Sequence, residues 1–316
     1  MNEVLGKRVL VTGKTEFLGR HVYRALRKFG PEAVWCLTRG EQEDLSHRAL
    51  VELLGESRAE IIIHLCDLDL GHDRQRSGDG EAHSNDDHGL YEAVRDVGLA
   101  KCIVAGSSLA YPPVATVPWC EAEFLNRAPC GSHSPAVQRQ REFLLKGLDQ
   151  AENHRLPVVT LLLGELYGPG EDSRRQTGSL VDGLLRKILE AREADRERLA
   201  MPLSGAQSRD FIFVRDAAEG IALAAAKPIG PNPVNIGTGT ETALGSLVEM
   251  LASGFGYTGQ VTWGQKVIGG VSRQCLDRRR AATEFGFSAD THLDAGLRET
   301  IAWHERQWSR PPTVAW

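Results

Sequence analysis

The sequence predicts an α/β protein in which a doubly wound parallel sheet carries a smaller, partly interleaved second lobe. Three observations predict it. Short apolar runs alternate with segments of helical period through the first half of the chain. The runs are apolar at nearly every position, as strands covered on both faces are. Beyond residue 168 the rhythm changes to a long charged helix followed by short elements.

The first strand, 8-RVLVTG-13, runs into the loop 12-TGKTEFLGRH-21 and helical spacing over 18–29. A strand over 33-AVWCLTR-39 precedes a helix over 45–54, and a strand over 60-EIIIHLC-66 precedes residues 71–89, which have almost no apolar side chains and read as a surface loop. A helix over 90–97, the strand 101-KCIVAGSS-108 and a proline-punctuated loop over 112–135 follow. A long helix over 135–152 leads to one strand over 157-PVVTLLLGELYG-168. The second lobe reads as a helix over 180–198, short strands at 211–214, 234–237 and 261–263, and closing helices over 243–255 and 294–308. The domains divide as 1–168 for the sheet and 169–316 for the smaller lobe, with 205–237 partly returning to the first.

The chain has 316 residues, 41% hydrophobic content and a net charge of -5, so it carries no global basic footprint for nucleic acid or an anionic membrane. No segment nears the roughly 18 consecutive apolar residues of a membrane span, and the opening MNEVLGKRVLV lacks a signal-peptide core, so a cytoplasmic protein is expected. Six dispersed cysteines without a C-x-x-C read as reduced core residues. His72, His83, Asp86, Asp87 and His88 share one loop, but their spacing matches no standard ligand set and no metal is expected.

Taken in order, VTGKTEFLG, IIIHL, AGSSLAYPP, LYGPGED, SRDFIFVRDAAEG, VNIGTGTE and RQCLD-x3-A-x2-EFGF resemble the extended short-chain dehydrogenase/reductase family. Within it they are most similar to the NDP-sugar epimerases and reductases, the GDP-L-fucose synthase group above all. The resemblance implies a Rossmann-type sheet with a substrate lobe, a nucleotide-sugar-like small-molecule substrate, and a homodimer as one possible assembly. It implies cofactor contacts from Gly13, Thr15, Glu16, Phe17, Leu18, Gly19, Arg39 and Asp67. Substrate contacts would come from Tyr111, Glu165, Tyr167, Arg209 and Arg273, with Arg209 able to pair bidentately with a diphosphate.

The sequence departs from the family at the chemistry. The family's glycine spacing falls on Gly13, Glu16 and Gly19, so a carboxylate stands where the backbone must approach a pyrophosphate. An outward-turned Glu16 would instead cap its own helix favourably. The family's H-[LV]-A-A block reads 64-HLCD-67, adding Asp67, and the second strand ends in Thr38 and Arg39 without an acid, so any dinucleotide bound should be NADP. In the frame of the family's Tyr-x-x-x-Lys, anchored by Glu142, Ser134 takes the tyrosine position and Gln138 the lysine position, and no tyrosine lies between Tyr111 and Tyr167. Serine alone is too weak an acid for that proton transfer, and glutamine carries no charge. Leu180 stands where the fucose synthase group has an acid/base histidine.

Ser107 and Ser108 remain to hydrogen-bond a substrate oxygen, and His133 beside Ser134 is the candidate general base for a non-redox reaction. Cys130 has no reliably cationic neighbour in sequence to activate it. Three functional classes follow: a divergent or non-redox enzyme on a sugar-like or natural-product substrate, a catalytically silent ligand-binding or regulatory subunit, and an NADP-dependent epimerase, dehydratase or reductase with a substitute acid.

Overall fold

The structure, a computed structural model, describes residues 2–13, 15–37, 46–66, 89–112, 115–125, 134–170, 179–267 and 270–308, with the backbone alone at Thr15 and Glu16. Six parallel strands form the main sheet: β1 (Arg8–Gly13), β2 (Ala33–Cys36), β3 (Ile61–Leu65), β4 (Lys101–Ser107), β5 (Val158–Leu163) and β9 (Val234–Ile236). Their order is β2-β1-β3-β4-β5-β9, so the chain reverses its winding between β1 and β3. In open α/β sheets ligands bind beyond the carboxyl ends of the strands at such a switch point.

Helices cover both faces. α1 (Arg20–Leu26), α7 (Val214–Ala226) and α9 (Arg279–Phe285) bury Leu26, Ile221 and Phe285 against one face, while α2 (His47–Ser57), α3 (Leu90–Val97) and α5 (Pro135–His154) bury Leu54, Val94 and Leu144 against the other. This double cover explains why β1, β3, β4 and β5 are apolar on both sides. β2 differs from expectation: it spans four residues rather than seven and, at the sheet edge, leaves Trp35 39% exposed.

A third core lies among α6 (Leu180–Glu193), α8 (Leu244–Gly254) and α10 (Leu293–Trp308). Two small sheets complete the molecule: β6 (Glu165–Tyr167), β8 (Ser208–Phe213) and β10 (Glu241–Ala243) in one, β7 (Arg198–Leu203) and β11 (Gln260–Lys266) in the other. The helix expected to reach residue 198 stops at Glu193, and Arg198 instead begins β7, whose alternating burial fits its pairing with β11.

The strand expected over 157–168 is two. It breaks at Gly164, where a Cβ would lie 2.7 Å from the Asp210 carbonyl oxygen, and the chain passes from the main sheet (β5) to the small one (β6). β9 then returns to the main sheet beside β5, and α7 packs on its face next to α1. A short helix α4 (Glu121–Phe124) lies in the loop after β4.

Among the described residues no helix is long and apolar enough to cross a membrane, and no group of three or more His, Cys, Asp and Glu is placed to hold a metal ion. The histidine and aspartate loop of 71–89 falls almost wholly outside the described residues. Cys36, Cys66, Cys102, Cys120 and Cys275 are in no disulfide.

Candidate active site

At the switch point Gly13 pairs with Leu65 across β1 and β3 and adopts φ +84°. A Cβ there would lie 2.0 Å from the Leu65 carbonyl oxygen, so glycine is required by the close approach of the two strands as well as by the left-handed turn. One strand position earlier, buried Thr12 Oγ1 and His64 Nδ1 are 3.0 Å apart. Thr15–Gly19 form a single π-helical turn leading directly into α1, with Leu18 in the core and Phe17 edge-on to His21. The Glu16 side chain, and Arg39 and Asp67 altogether, lie outside the described residues. His21 Nε2 meets the Pro169 carbonyl at 3.1 Å, and burial lowers its pKa to about 4, with Arg20, Arg24 and Arg215 acting in the same direction.

β4 delivers Ser107 and Ser108 to the adjacent rim. Ser107 Oγ accepts from the Leu109 N–H at 3.2 Å, and the Ser107 N–H donates to Gln140 Oε1 at 2.8 Å. The glutamine of α5 that reaches Ser107 is Gln140, two residues beyond Gln138, which takes the lysine position of the family frame. The signal was its place three residues after Val137 and four before Leu144, on the buried face of the helix. Ser134 is the N-cap of α5: its Oγ accepts from the Val137 N–H at 3.4 Å, and Pro135 follows in the first turn. The lysine of α5, Lys146, is directed to α3, where it meets Glu92 at 2.8 Å and lies over the Tyr91 ring. His133 and Cys130 lie outside the described residues.

Arg141, which sequence reasoning passed over, is buried and donates to the carbonyls of Ala110 at 2.7 Å and Phe124 at 3.0 Å, tying α5 to the loop after β4. The two tyrosines assigned to a substrate pocket are core residues here. Tyr111 packs on Trp119 and Phe124 and donates to Asn235 Oδ1 at 2.9 Å, while burial, reinforced by Glu121, pushes its pKa well up. Tyr167 packs on Phe213 below α10, and burial raises its pKa too.

β8 and the segments around residues 235–241 and 273–277 complete the arrangement through residues distant in sequence. Arg209, on β8, is fully buried; its Nη1 donates to the Ser208 carbonyl at 2.7 Å, and burial lowers its pKa against the opposing pull of Glu165. It is an interior cation rather than a solvated surface one. Arg273 is the reverse, an exposed side chain forked onto Glu241 at 2.8 and 2.7 Å. Beside Arg209, Asp210 accepts four hydrogen bonds, from the Thr238 N–H and hydroxyl, the Gly239 N–H and the Leu276 N–H. Asn235 Nδ2 donates to the carbonyls of Trp119 at 2.8 Å and Asp277 at 3.2 Å, holding the loop after β4 against residues 275–277. Immediately before residues 275–277, Gln274 reaches Ser108, its Nε2 donating to Ser108 Oγ at 2.6 Å.

The comparisons agree with this architecture. Residues 9–237 match the NAD dependent epimerase/dehydratase family. The GDP-L-fucose synthase 1 of Arabidopsis thaliana is 23% identical over 94% of this chain and 93% of its own length. Among solved structures, the UDP-glucose 4-epimerase of Thermotoga maritima, determined with UDP-glucose, superposes with a TM-score of 0.80 at 21% identity, covering 95% of this chain and 99% of that one. A GDP-L-fucose synthetase of Naegleria fowleri bound to NADP gives 0.77 at 17% identity, covering 96% and 93%. With its matched span taking in the main sheet, the switch-point loop, β4, α5 and β8, the chain belongs to the NAD dependent epimerase/dehydratase family.

Proposed function

We propose that the protein keeps a nucleotide-sugar-type site between its main sheet and second lobe but does not run the family's nicotinamide redox cycle, acting as a divergent, non-redox enzyme on a sugar-like substrate in the cytoplasm. The observation that carries this reading is α5. Where the family frame calls for a tyrosine and a lysine, the helix offers a capping serine, Ser134, and the uncharged Gln138 and Gln140, while its lysine, Lys146, is paired with Glu92 of α3. A nicotinamide would supply hydride transfer when bound, which needs a neighbouring proton donor and a cation beneath its ribose, and the residues of α5 do not fit that use. Nor is Gly13 a sign of a cofactor cradle, since the Leu65 carbonyl already fills the space that its missing Cβ leaves.

The site's remaining tools suit ligand binding and proton movement. Ser107 and Ser108 offer hydroxyls at the end of β4, Arg209 supplies an interior cation for a diphosphate, and His133 serves as general base. Calorimetric titration tests the reading, with NADPH and NADP+ on one side and UDP-glucose and a GDP-sugar on the other. Binding of a nucleotide sugar with no detectable binding of either dinucleotide is expected. Micromolar binding of NADPH would overturn it and return the protein to the NADP-dependent class with a substitute acid. In the same experiment, Glu16→Gly with Asp67→Ala should restore dinucleotide binding if those two carboxylates are what prevents it.

A further inference from the structure

We propose that Gln274 positions Ser108 and reads a hydroxyl on the sugar portion of the ligand, an inference that rests on the nucleotide-sugar reading above. Gln274 and Ser108 are both fully buried and come together from positions 166 residues apart. The amide nitrogen of Gln274 occupies a lone pair of Ser108 Oγ, which leaves the serine proton to be given to another acceptor. The amide oxygen, Gln274 Oε1, is buried without a hydrogen-bond partner. A buried acceptor left unpaired is unfavourable, so a ligand that brings a donor removes a cost already present in the fold.

Rigid backbone supports this aim. The Gln274 N–H donates to the Ser208 carbonyl at 3.2 Å, the Ser208 N–H returns to Ser272 at 3.0 Å, and Leu276 is held by Asp210 and by its bridge to Trp119. The chemistry of the pair selects the part of the ligand it meets. A diphosphate has no hydrogen to give Oε1 and would set its own negative oxygens against that lone pair. A sugar ring offers what the pair lacks: one hydroxyl to donate to Gln274 Oε1 and a neighbouring oxygen to accept from Ser108. Gln274 therefore discriminates by sugar, while Arg209 serves the diphosphate.

The test titrates the full chain and its Gln274→Leu variant with UDP-glucose and GDP-mannose, and with UDP and GDP alone. Gln274→Leu should weaken the preferred nucleotide sugar by about tenfold or more and leave the matching diphosphate within about twofold. Ser108→Ala, which leaves Gln274 in place, should show the same sugar-selective loss, and the double variant should lose less than the two single losses combined. Equal weakening of sugar and diphosphate, or unchanged affinity for both, in Gln274→Leu and Ser108→Ala overturns the inference alone. A wild-type protein that binds none of the four ligands overturns the nucleotide-sugar reading and this inference with it.

Discussion

Asp210→Asn tests the hub that joins β8 to the segments at Thr238–Gly239 and Leu276. Asp210 is fully buried on β8, and its Oδ1 accepts from the Thr238 N–H at 2.9 Å and hydroxyl at 2.6 Å while its Oδ2 accepts from the Gly239 N–H at 3.0 Å and the Leu276 N–H at 3.1 Å. Four donors and two oxygens demand the ionised form. Asparagine has one oxygen, so in either orientation two donors face an amide NH2. Stranding a buried donor costs about 1–3 kcal/mol, and since Gly239 is exposed and the Thr238 hydroxyl can turn to accept from the amide, the substitution should cost about that much. That is a large share of the roughly 5–15 kcal/mol that stabilises a folded protein. Thr238→Val, which removes one charge-assisted bond, should cost about 1.5–3 kcal/mol.

Urea unfolding at pH 7 with fluorescence detection measures both, with unchanged m-values as the sign that the unfolded reference is the same. Burial raises the Asp210 pKa against the pull of its four donors. The folded chain therefore holds this proton to higher pH than the unfolded chain, and the group's contribution to stability falls as pH rises from its ordinary value through its folded value. Asp210→Asn should remove that limb. A loss below about 1 kcal/mol would refute the reasoning, because it would mean that the carboxyl is protonated in the fold and that asparagine is nearly isosteric with it.

Two further outcomes are expected. His21 is lowered to about 4 by burial, so the unfolded chain takes up a proton between pH 6.5 and 4 that the folded chain refuses. Stability should therefore fall on acidification through that window, and His21→Gln should flatten the fall in a melting-temperature series; an unchanged slope would show that the imidazole is not shielded. Tyr111→Phe removes the hydrogen bond to Asn235 within an aromatic cluster, and should cost about 1–3 kcal/mol in urea unfolding while leaving nucleotide-sugar affinity unaltered, since the hydroxyl points inward. Weakened binding would restore Tyr111 to the substrate pocket.

The amino-acid sequence by itself determined the alternation of buried strands and covering helices, because a parallel strand covered on both faces must be apolar throughout and that pattern is local. It determined Ser134 before Pro135 at the start of α5 as well, and the absence of any tyrosine between Tyr111 and Tyr167, since these are matters of residue type at short spacing. What failed was whatever depends on position in the assembled sheet. The short, half-exposed β2 followed from its place at the edge, the break at Gly164 from the nearness of Asp210, and β7 from a partner more than 50 residues away. The interior setting of Arg209 and Tyr111, and the roles of Gln140, Arg141, Asp210 and Gln274, were decided only by the tertiary structure. Each of these polar groups is buried by elements distant in the chain, and which donor meets which acceptor is set when β8, α5 and the segment 274–277 pack against the rest of the fold.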